Sequence, residues 1–517
     1  MEEAESNVYF TRIVKTSAFA FIAVMLSKVL GYSYKIVIAR YFDAEVYGLF
    51  SLSMIIIGIA VSLAGAGLFE GLVRQISIYR GQKKRRSIIS LVITSRNFLI
   101  ISGFALFGIV FLSAPTISNL FDEPRLTIFI QVMSLAIPFI LLANLFLSVL
   151  RSYEMIKTQS VLTNVLQNTT KFFILLFFIF IGLQIASVPL SYLFAYVVLA
   201  LVAGFYGKKI LFPVNVSKPK LKDGKKMLVM VMKYSWPLMF IGVLTSIFYW
   251  TDSLLIGYYI GVGNVGIYNA AITLIVFLGI VPELFIQLLF PVIALNISQN
   301  KNKFVNLLIN RVTKWIIVIN SFIALACFFF APQLVFWLFG QDFMNAVISL
   351  RILSIGALFT NLAAYFINLL TVAAKTKQIL YNLIIVAILN FVLDILMIPS
   401  LGLNGAAIAT SISGFILFLI TARQVKKNYL FSPLEYNSIR TIIIVLITFW
   451  AGAVILFLSS SVLMTFLIGI ILIILYLIIL IHIGLFDEQD IDLFKKIVWK
   501  AIFYTGFKGF RSKTFLT

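Results

Sequence analysis

The sequence predicts an all-α integral membrane protein with about fourteen transmembrane helices, two six-helix lobes around a central cavity and a C-terminal helix pair. Three observations carry that prediction. Apolar residues make up 62% of the 517 residues and charged residues only 12%, against about 45–50% and about 25% in soluble domains. Apolar stretches long enough to cross a bilayer, about 20 residues each, recur along the whole chain. Lysine and arginine fall almost entirely in alternate connections between them, which is the asymmetry of the positive-inside rule.

In order, the spans are expected near residues 15–40, 47–78, 88–113, 126–150, 158–182, 188–207, 229–257, 266–293, 311–332, 349–373, 379–398, 405–424, 439–459 and 463–483. Met1 to Asn7 is acidic where a cleaved signal is basic, so span 1 is expected to stay in the protein. One set of connections holds about 30 basic residues with the N-terminal arm: Arg80 to Arg86, Arg151 to Lys157, Lys208 to Lys226, Lys301 to Lys303, Lys375 to Lys377, Arg423 to Lys427 and Lys495 to Lys513. The alternate set, which includes Tyr41 to Val46, Ala114 to Arg125, Tyr258 to Val265 and Pro332 to Asn345, holds Arg125 alone. The protein is therefore expected in the plasma membrane, multi-pass, with both termini cytoplasmic. The net charge of +22 follows from the same distribution. Basic residues dispersed over several loops meet anionic lipid headgroups, and no nucleic-acid partner is expected.

Several chemistries are excluded. The outer connections are too short to hold a catalytic carboxylate, metal and sugar, which argues against a membrane glycosyltransferase or polymerase. There is no GxxxxGK[ST] nucleotide loop. Cys327 is the one cysteine and His482 the one histidine, so neither a disulfide nor a Cys/His metal site can form within the chain. No enzyme activity and no cofactor are expected, and a closed two-lobed carrier needs no partner subunit, so a monomer is the default.

A weak internal repeat organises the chain. Aligned without gaps, Ile38 to Phe50 and Ile256 to Tyr268 bring Gly48 onto Gly266, Leu49 onto Ile267 and Phe50 onto Tyr268. A parallel duplication then divides the chain into an N-terminal lobe (1–207), a cytoplasmic linker (208–228), a C-terminal lobe (229–424), the last two helices (425–483) and a basic cytoplasmic tail (484–517). In carriers of this type the substrate site lies between the lobes and access alternates by rocking.

Four stretches carry a family resemblance: Ser27 to Arg40 (SKVLGYSYKIVIAR), Tyr47 to Leu52 (YGLFSL), Gly266 to Ala271 (GIYNAA) and Pro399 to Thr410 (PSLGLNGAAIAT). In these, the chain resembles the polysaccharide transporter, or oligosaccharide flippase, family of the multidrug/oligosaccharidyl-lipid/polysaccharide (MOP) exporter superfamily. The resemblance implies carriage of a polyprenyl-(pyro)phosphate-linked oligosaccharide from the cytoplasmic to the outer leaflet, with membrane lipids as surroundings. Such proteins commonly carry Arg in the first helix. Lys28 and Lys35 here keep the charge without bidentate geometry.

Ionisable residues at membrane depth are functional candidates because each costs several kcal/mol unless it meets a partner or water. Lys28 and Lys35 lie seven residues apart on one face of span 1. Lys35 and Arg40 can also be read as snorkelling to the interface. In span 5, Asn164, Gln167, Asn168 and Lys171 fall at i, i+3, i+4 and i+7. Deep charge in the first lobe is thus mostly positive, and Lys28, Lys35 and Lys171 are the candidates to hold a phosphate. Asn164, Gln167 and Asn168, with Asn361, Tyr365 and Asn368 of span 10, are candidates to line the cavity and meet sugar. Interhelical hydrogen bonding is the alternative for these amides.

Glu70 and Arg74 suit an intrahelical salt bridge or a gate. Asp252, Glu283 with Gln287, and Asn390 with Asp394 bring carboxylates into the second lobe, against Arg351. These carboxylates are candidates to bind a coupling Na⁺ or H⁺, to accept sugar hydroxyls or to pair with Arg351. The runs Phe172-Phe173 and Phe177-Phe178 read as lipid-facing or packing residues, and Trp236-Pro237 and Pro282 mark bends. Two rivals share the fold, a multidrug cation antiporter and a peptidoglycan-precursor flippase. The antiporter predicts a carboxylate-rich first-lobe cavity, and this lobe holds lysines instead.

Overall fold

The computed structural model describes residues 25–211, 221–280, 282–283, 293, 296, 302–373, 375–429, 434, 436–458 and 462–482. Met1 to Asn7, Gln287 and the basic tail lie outside the described residues. Among the described residues the regular structure is helical throughout.

Helix α1 covers residues 25–41. Asp43 then caps α2 (Ala44–Gly65) by accepting from the Val46 N–H at 2.7 Å, which satisfies one of the free donors of the first turn. Span 2 is broken rather than continuous: Ala66 and Gly67 have φ of 46° and 66°, and α3 (Leu68–Gly81) starts after them. Next come α4 (Arg85–Leu120), α5 (Arg125–Ser134) and α6 (Ile137–Ser152). The fifth span is α7 (Ile156–Ser160) joined to α8 (Gln167–Phe180) through a π-helical turn at Val161–Leu166, followed by α9 (Ser187–Leu211).

The second half begins with α10 (Leu221–Ile260), a single helix that runs on through Trp236-Pro237. It continues with α11 (Val262–Ile275), whose last turn tightens to a 3₁₀ segment at Val276–Gly279 just ahead of Pro282. Pro282 has no N–H to offer the carbonyl four residues back, and the helix tightens in the turn just before it. Then follow α12 (Asn302–Phe329), α13 (Ala331–Leu338), α14 (Ala346–Val372), α15 (Thr376–Leu401), α16 (Leu403–Tyr429), α17 (Tyr436–Leu458) and α18 (Val462–His482). Ten helices among the described residues are long and apolar enough to cross a bilayer, and two shorter apolar ones, Val262–Ile275 and Phe466–His482, accompany them.

One apolar core joins α1 to α6 with α11 and α13, and another joins α12, α14 and α16 to α18. The outer faces stay apolar. Phe173, Phe177 and Phe180 of α8 are all exposed, Phe180 by 90%, as the lipid-facing reading of the Phe runs expects.

The two glycines aligned by the repeat are in contact. A Cβ on Gly48 would lie 2.0 Å from the Val262 carbonyl oxygen, and one on Gly266 would lie 1.9 Å from that of Ala44. The crossing of α2 and α11 is reciprocal, each glycine meeting the carbonyl four residues before the other. Backbones approach this closely only where both helices lack a side chain. A second close approach joins α3 to α10, where Gly67 and Gly71 meet Ser235.

Candidate functional site

The three lysines singled out by their depth gather on and beside α1. Lys28 Nζ donates to Glu283 Oε2 at 2.7 Å, an ion pair between the first and second halves of the chain. Lys35 Nζ lies 3.4 Å from Thr273 Oγ1 of α11, whose hydroxyl also meets the Tyr47 hydroxyl at 3.0 Å. Lys171 Nζ lies over the Tyr34 ring, 4.8 Å from its centroid, and near enough to Lys35 for the two charges to repel. The ring is held from behind, because the Tyr34 hydroxyl bonds Ser191 Oγ at 3.0 Å and donates to the Val188 carbonyl at 3.3 Å.

Among the described residues, Lys35 and Lys171 make no ion pair, and Lys28 has Glu283. Two adjacent cations without a carboxylate in a membrane interior repel each other and are costly. An anion between them relieves both costs. Arg40 is exposed, and its guanidinium donates to the Phe336 carbonyl at 2.7 Å, to that of Leu338 at 3.2 Å and to that of Trp337, capping the C-terminus of α13.

The amide face of span 5 divides. Asn168 donates to Ser27 Oγ at 2.8 Å and so forms a seam with α1 beside Lys171. Asn164 Nδ2 donates to Ser160 Oγ at 3.1 Å in its own helix, and Gln167 faces Tyr196 of α9. The π-turn rotates the register just here, which a strict 3.6-residue count does not anticipate.

The span 10 stripe divides as well. Tyr365 is buried in the second core, and Asn368 donates to the Ala364 carbonyl of its own helix at 2.9 Å. Asn361 faces Gly279 in the 3₁₀ segment of span 8, with Nδ2 lacking a hydrogen-bond partner among the described residues.

Two expected pairings change partners. Glu70 bonds Arg151 of α6 at 2.7 Å, not Arg74, which stacks over Tyr234 of α10 at 4.4 Å. Facing neighbouring helices outcompete the i+4 position because α3 is packed between α6 and α10. Among the described residues Arg351 meets no carboxylate; it donates to the Phe328 carbonyl at 3.2 Å and lies over the Phe328 ring.

A second polar centre lies between α10, α11, α15 and α16. Asp252 Oδ2 accepts from the Tyr268 hydroxyl at 2.6 Å and from the Thr410 hydroxyl. Asp394, 0% exposed, stands close enough to interact directly with Asp252, and no donor reaches either of its oxygens among the described residues. Asn390, one turn before Asp394, faces the pair. Two adjacent carboxylates in a low dielectric cannot both stay charged and unaccompanied. The separate carboxylates are visible in the sequence, but their pairing and the roles of Tyr268, Thr410, Thr273 and Tyr34 are not; Thr410 closes the Pro399-to-Thr410 stretch and so was the most accessible signal.

Helices broken at Gly67 and before Pro282, packed around buried charge of both signs, define a multi-pass membrane protein of transporter fold. The structure is similar to that of the lipid II flippase MurJ in an inward closed conformation, with a TM-score of 0.69 and 18% identity over 89% of this chain and 98% of that one. An inward-facing multidrug resistance MATE family transporter of the MOP superfamily is similar with a TM-score of 0.62 and 16% identity, over 80% and 98% of the two chains. A MOP superfamily transporter from Pyrococcus furiosus, described by the reverse polarity of its binding pocket, follows with a TM-score of 0.57 and 15% identity, over 81% and 95%. Residues 13–297 match the polysaccharide biosynthesis protein family, and the chain belongs to that family. It is also 23% identical over 424 residues to an uncharacterized membrane protein of Methanocaldococcus jannaschii, covering 80% of this chain and 83% of that protein.

Proposed function

We propose that this protein flips a polyprenyl-(pyro)phosphate-linked oligosaccharide from the cytoplasmic to the outer leaflet by alternating access between two six-helix lobes. The observation that carries the reading is the gathering of Lys28, Lys35 and Lys171 on α1 and α8, with Lys35 and Lys171 unpaired by any carboxylate among the described residues. Fixed cations in a water-filled gap between lobes stabilise a phosphate that otherwise has to cross low-dielectric space. The sugar passes through the gap, the prenyl tail stays in lipid, and no bond is made or broken.

The basic connections assign the ends. The α2–α11 crossing and the Arg40 cap adjoin loops with almost no basic residues and close the outer side; the contact of α3 with α10 adjoins Arg80 to Arg86 and closes the cytoplasmic side. Asp252 and Asp394 supply a coupling site for H⁺ or Na⁺, because taking up a cation relieves their mutual repulsion. Family membership supports a polysaccharide precursor as cargo. The likeness to MurJ favours a second cargo of the same chemistry, a peptidoglycan precursor. A cation antiporter is disfavoured by the sign of the charge on α1.

The test is reconstitution in liposomes with a fluorescent polyprenyl-pyrophosphate oligosaccharide, following its exposure to a membrane-impermeant reagent. The protein accelerates exposure, and Lys28→Gln with Lys171→Gln reduces the rate to that of protein-free vesicles while the protein stays in the membrane. Near-normal flipping by the double variant refutes the phosphate role.

A further inference from the structure

We infer that Glu283 is a built-in stand-in for the substrate phosphate: in the empty carrier its carboxylate occupies Lys28, and the incoming headgroup must displace it. The inference rests on the flippase reading above and adds a regulatory contact to the same site.

The Lys28–Glu283 contact, at 2.7 Å, has the length of a charge-assisted hydrogen bond. It is not sealed. The two side chains keep 21% and 42% of their accessible surface, so an anion entering between the halves of the chain can reach the ammonium. Structural ion pairs at membrane depth are normally enclosed by further donors. Among the described residues, Lys28 is the one hydrogen-bond donor to Glu283, and the other group sensing its charge is Tyr32, one helical turn along α1. Glu283 is therefore held in place by the very cation the substrate needs.

Its position gives the exchange a consequence. Lys28 belongs to α1 in the first half, while Glu283 follows the 3₁₀ segment and Pro282 in the second. The pair is a tie between the halves, mounted just past a tightened 3₁₀ turn. When phosphate takes Lys28, Glu283 is released and the tie is cut; when phosphate leaves, Glu283 re-forms the pair and helps expel it. An empty carrier returning across the membrane thus carries Lys28 neutralised, which lowers the cost of moving that charge through low dielectric.

Removing the two partners has opposite effects on binding, which a merely structural ion pair cannot produce. Glu283→Gln keeps the shape of the side chain and deletes the competitor. It is expected to tighten binding of a short-chain polyprenyl-pyrophosphate oligosaccharide by about tenfold, since an opposing charge next to the site is removed. Flipping at saturating substrate is expected to fall by about the same factor, because release loses its displacing group. Lys28→Gln is expected to weaken binding by about tenfold.

Binding is measured by titration of the purified full chain in detergent, and turnover in liposomes, with a monodisperse elution profile as the check on folding. Tighter binding with slower turnover in Glu283→Gln supports the stand-in role. If Glu283→Gln binds more weakly or with unchanged affinity while the wild type binds and flips the probe, the stand-in role is overturned and the flippase reading stands. If the wild type neither binds nor flips the probe, the flippase reading fails and takes the inference with it.

Discussion

Replacing Gly48 by alanine tests whether the α2–α11 crossing holds the outer side shut. The added Cβ would sit 2.0 Å from the Val262 carbonyl oxygen, 2.9 Å from its carbon and 3.1 Å from the Gly266 nitrogen. Every one of these is a backbone atom, so no side chain can swing aside, and the helices must part by about 1 Å before the contact becomes tolerable. Overpacking of this kind costs about 1–3 kcal/mol. The cost falls on the closed arrangement and is relieved when the crossing opens, so the equilibrium between closed and open outer sides moves about 5- to 150-fold toward open. The Tyr47–Thr273 contact at 3.0 Å and the Lys35–Thr273 contact at 3.4 Å lie one to two turns further along and loosen with it.

The assay is cysteine labelling from outside. Cys327 is buried and is first changed to serine. Ala270, one turn beyond Gly266 and fully buried, is then changed to cysteine as the reporter. With Gly48→Ala, a membrane-impermeant maleimide is expected to label the reporter at least about fivefold faster. An unchanged labelling rate in properly folded protein refutes the idea that this crossing is what opens.

Two further outcomes follow from the charged groups. Asp394→Asn leaves the packing between α10 and α15 almost unaltered but ends the mutual repulsion that makes the pair take up a cation. Flipping is expected to persist without its response to an imposed Na⁺ or H⁺ gradient, and gradient stimulation equal to wild type would dismiss the coupling site. In the connection between α4 and α5, the hydrogen bond from Arg125, 2.9 Å from Glu123 Oε1, holds the Glu123 carboxyl below the usual carboxylate range. A depressed folded pKa contributes stability above the unfolded value, about 4.3, and loses it as pH falls through the folded one. Thermal melts of wild type and Glu123→Gln are therefore expected to differ near neutral pH and to converge once the pH falls below the lowered folded value; a difference that stays constant from neutral into strong acid would show that the contact contributes nothing through ionisation.

Much of this molecule is determined locally. The bilayer demands long apolar helices with internally satisfied backbones, so the membrane class, most span positions and the tightening before Pro282 follow from runs of residue types that a reader can count, whereas the break at Gly67 inside span 2 does not. The same cost of burying charge made Lys28, Lys35 and Lys171 conspicuous as single residues. Even the Gly48–Gly266 correspondence was present as an alignment, though nothing in it announced that the two glycines touch. Partnership was decided only by the tertiary structure. Glu70 chose Arg151 over the neighbour four residues away, Arg351 met the Phe328 carbonyl and no carboxylate among the described residues, Asp252 found Asp394, and Lys28 found Glu283 255 residues along the chain. Helical periodicity states which face a side chain occupies but not which helix lies opposite, and a buried charge is settled by whatever polar group that neighbour presents.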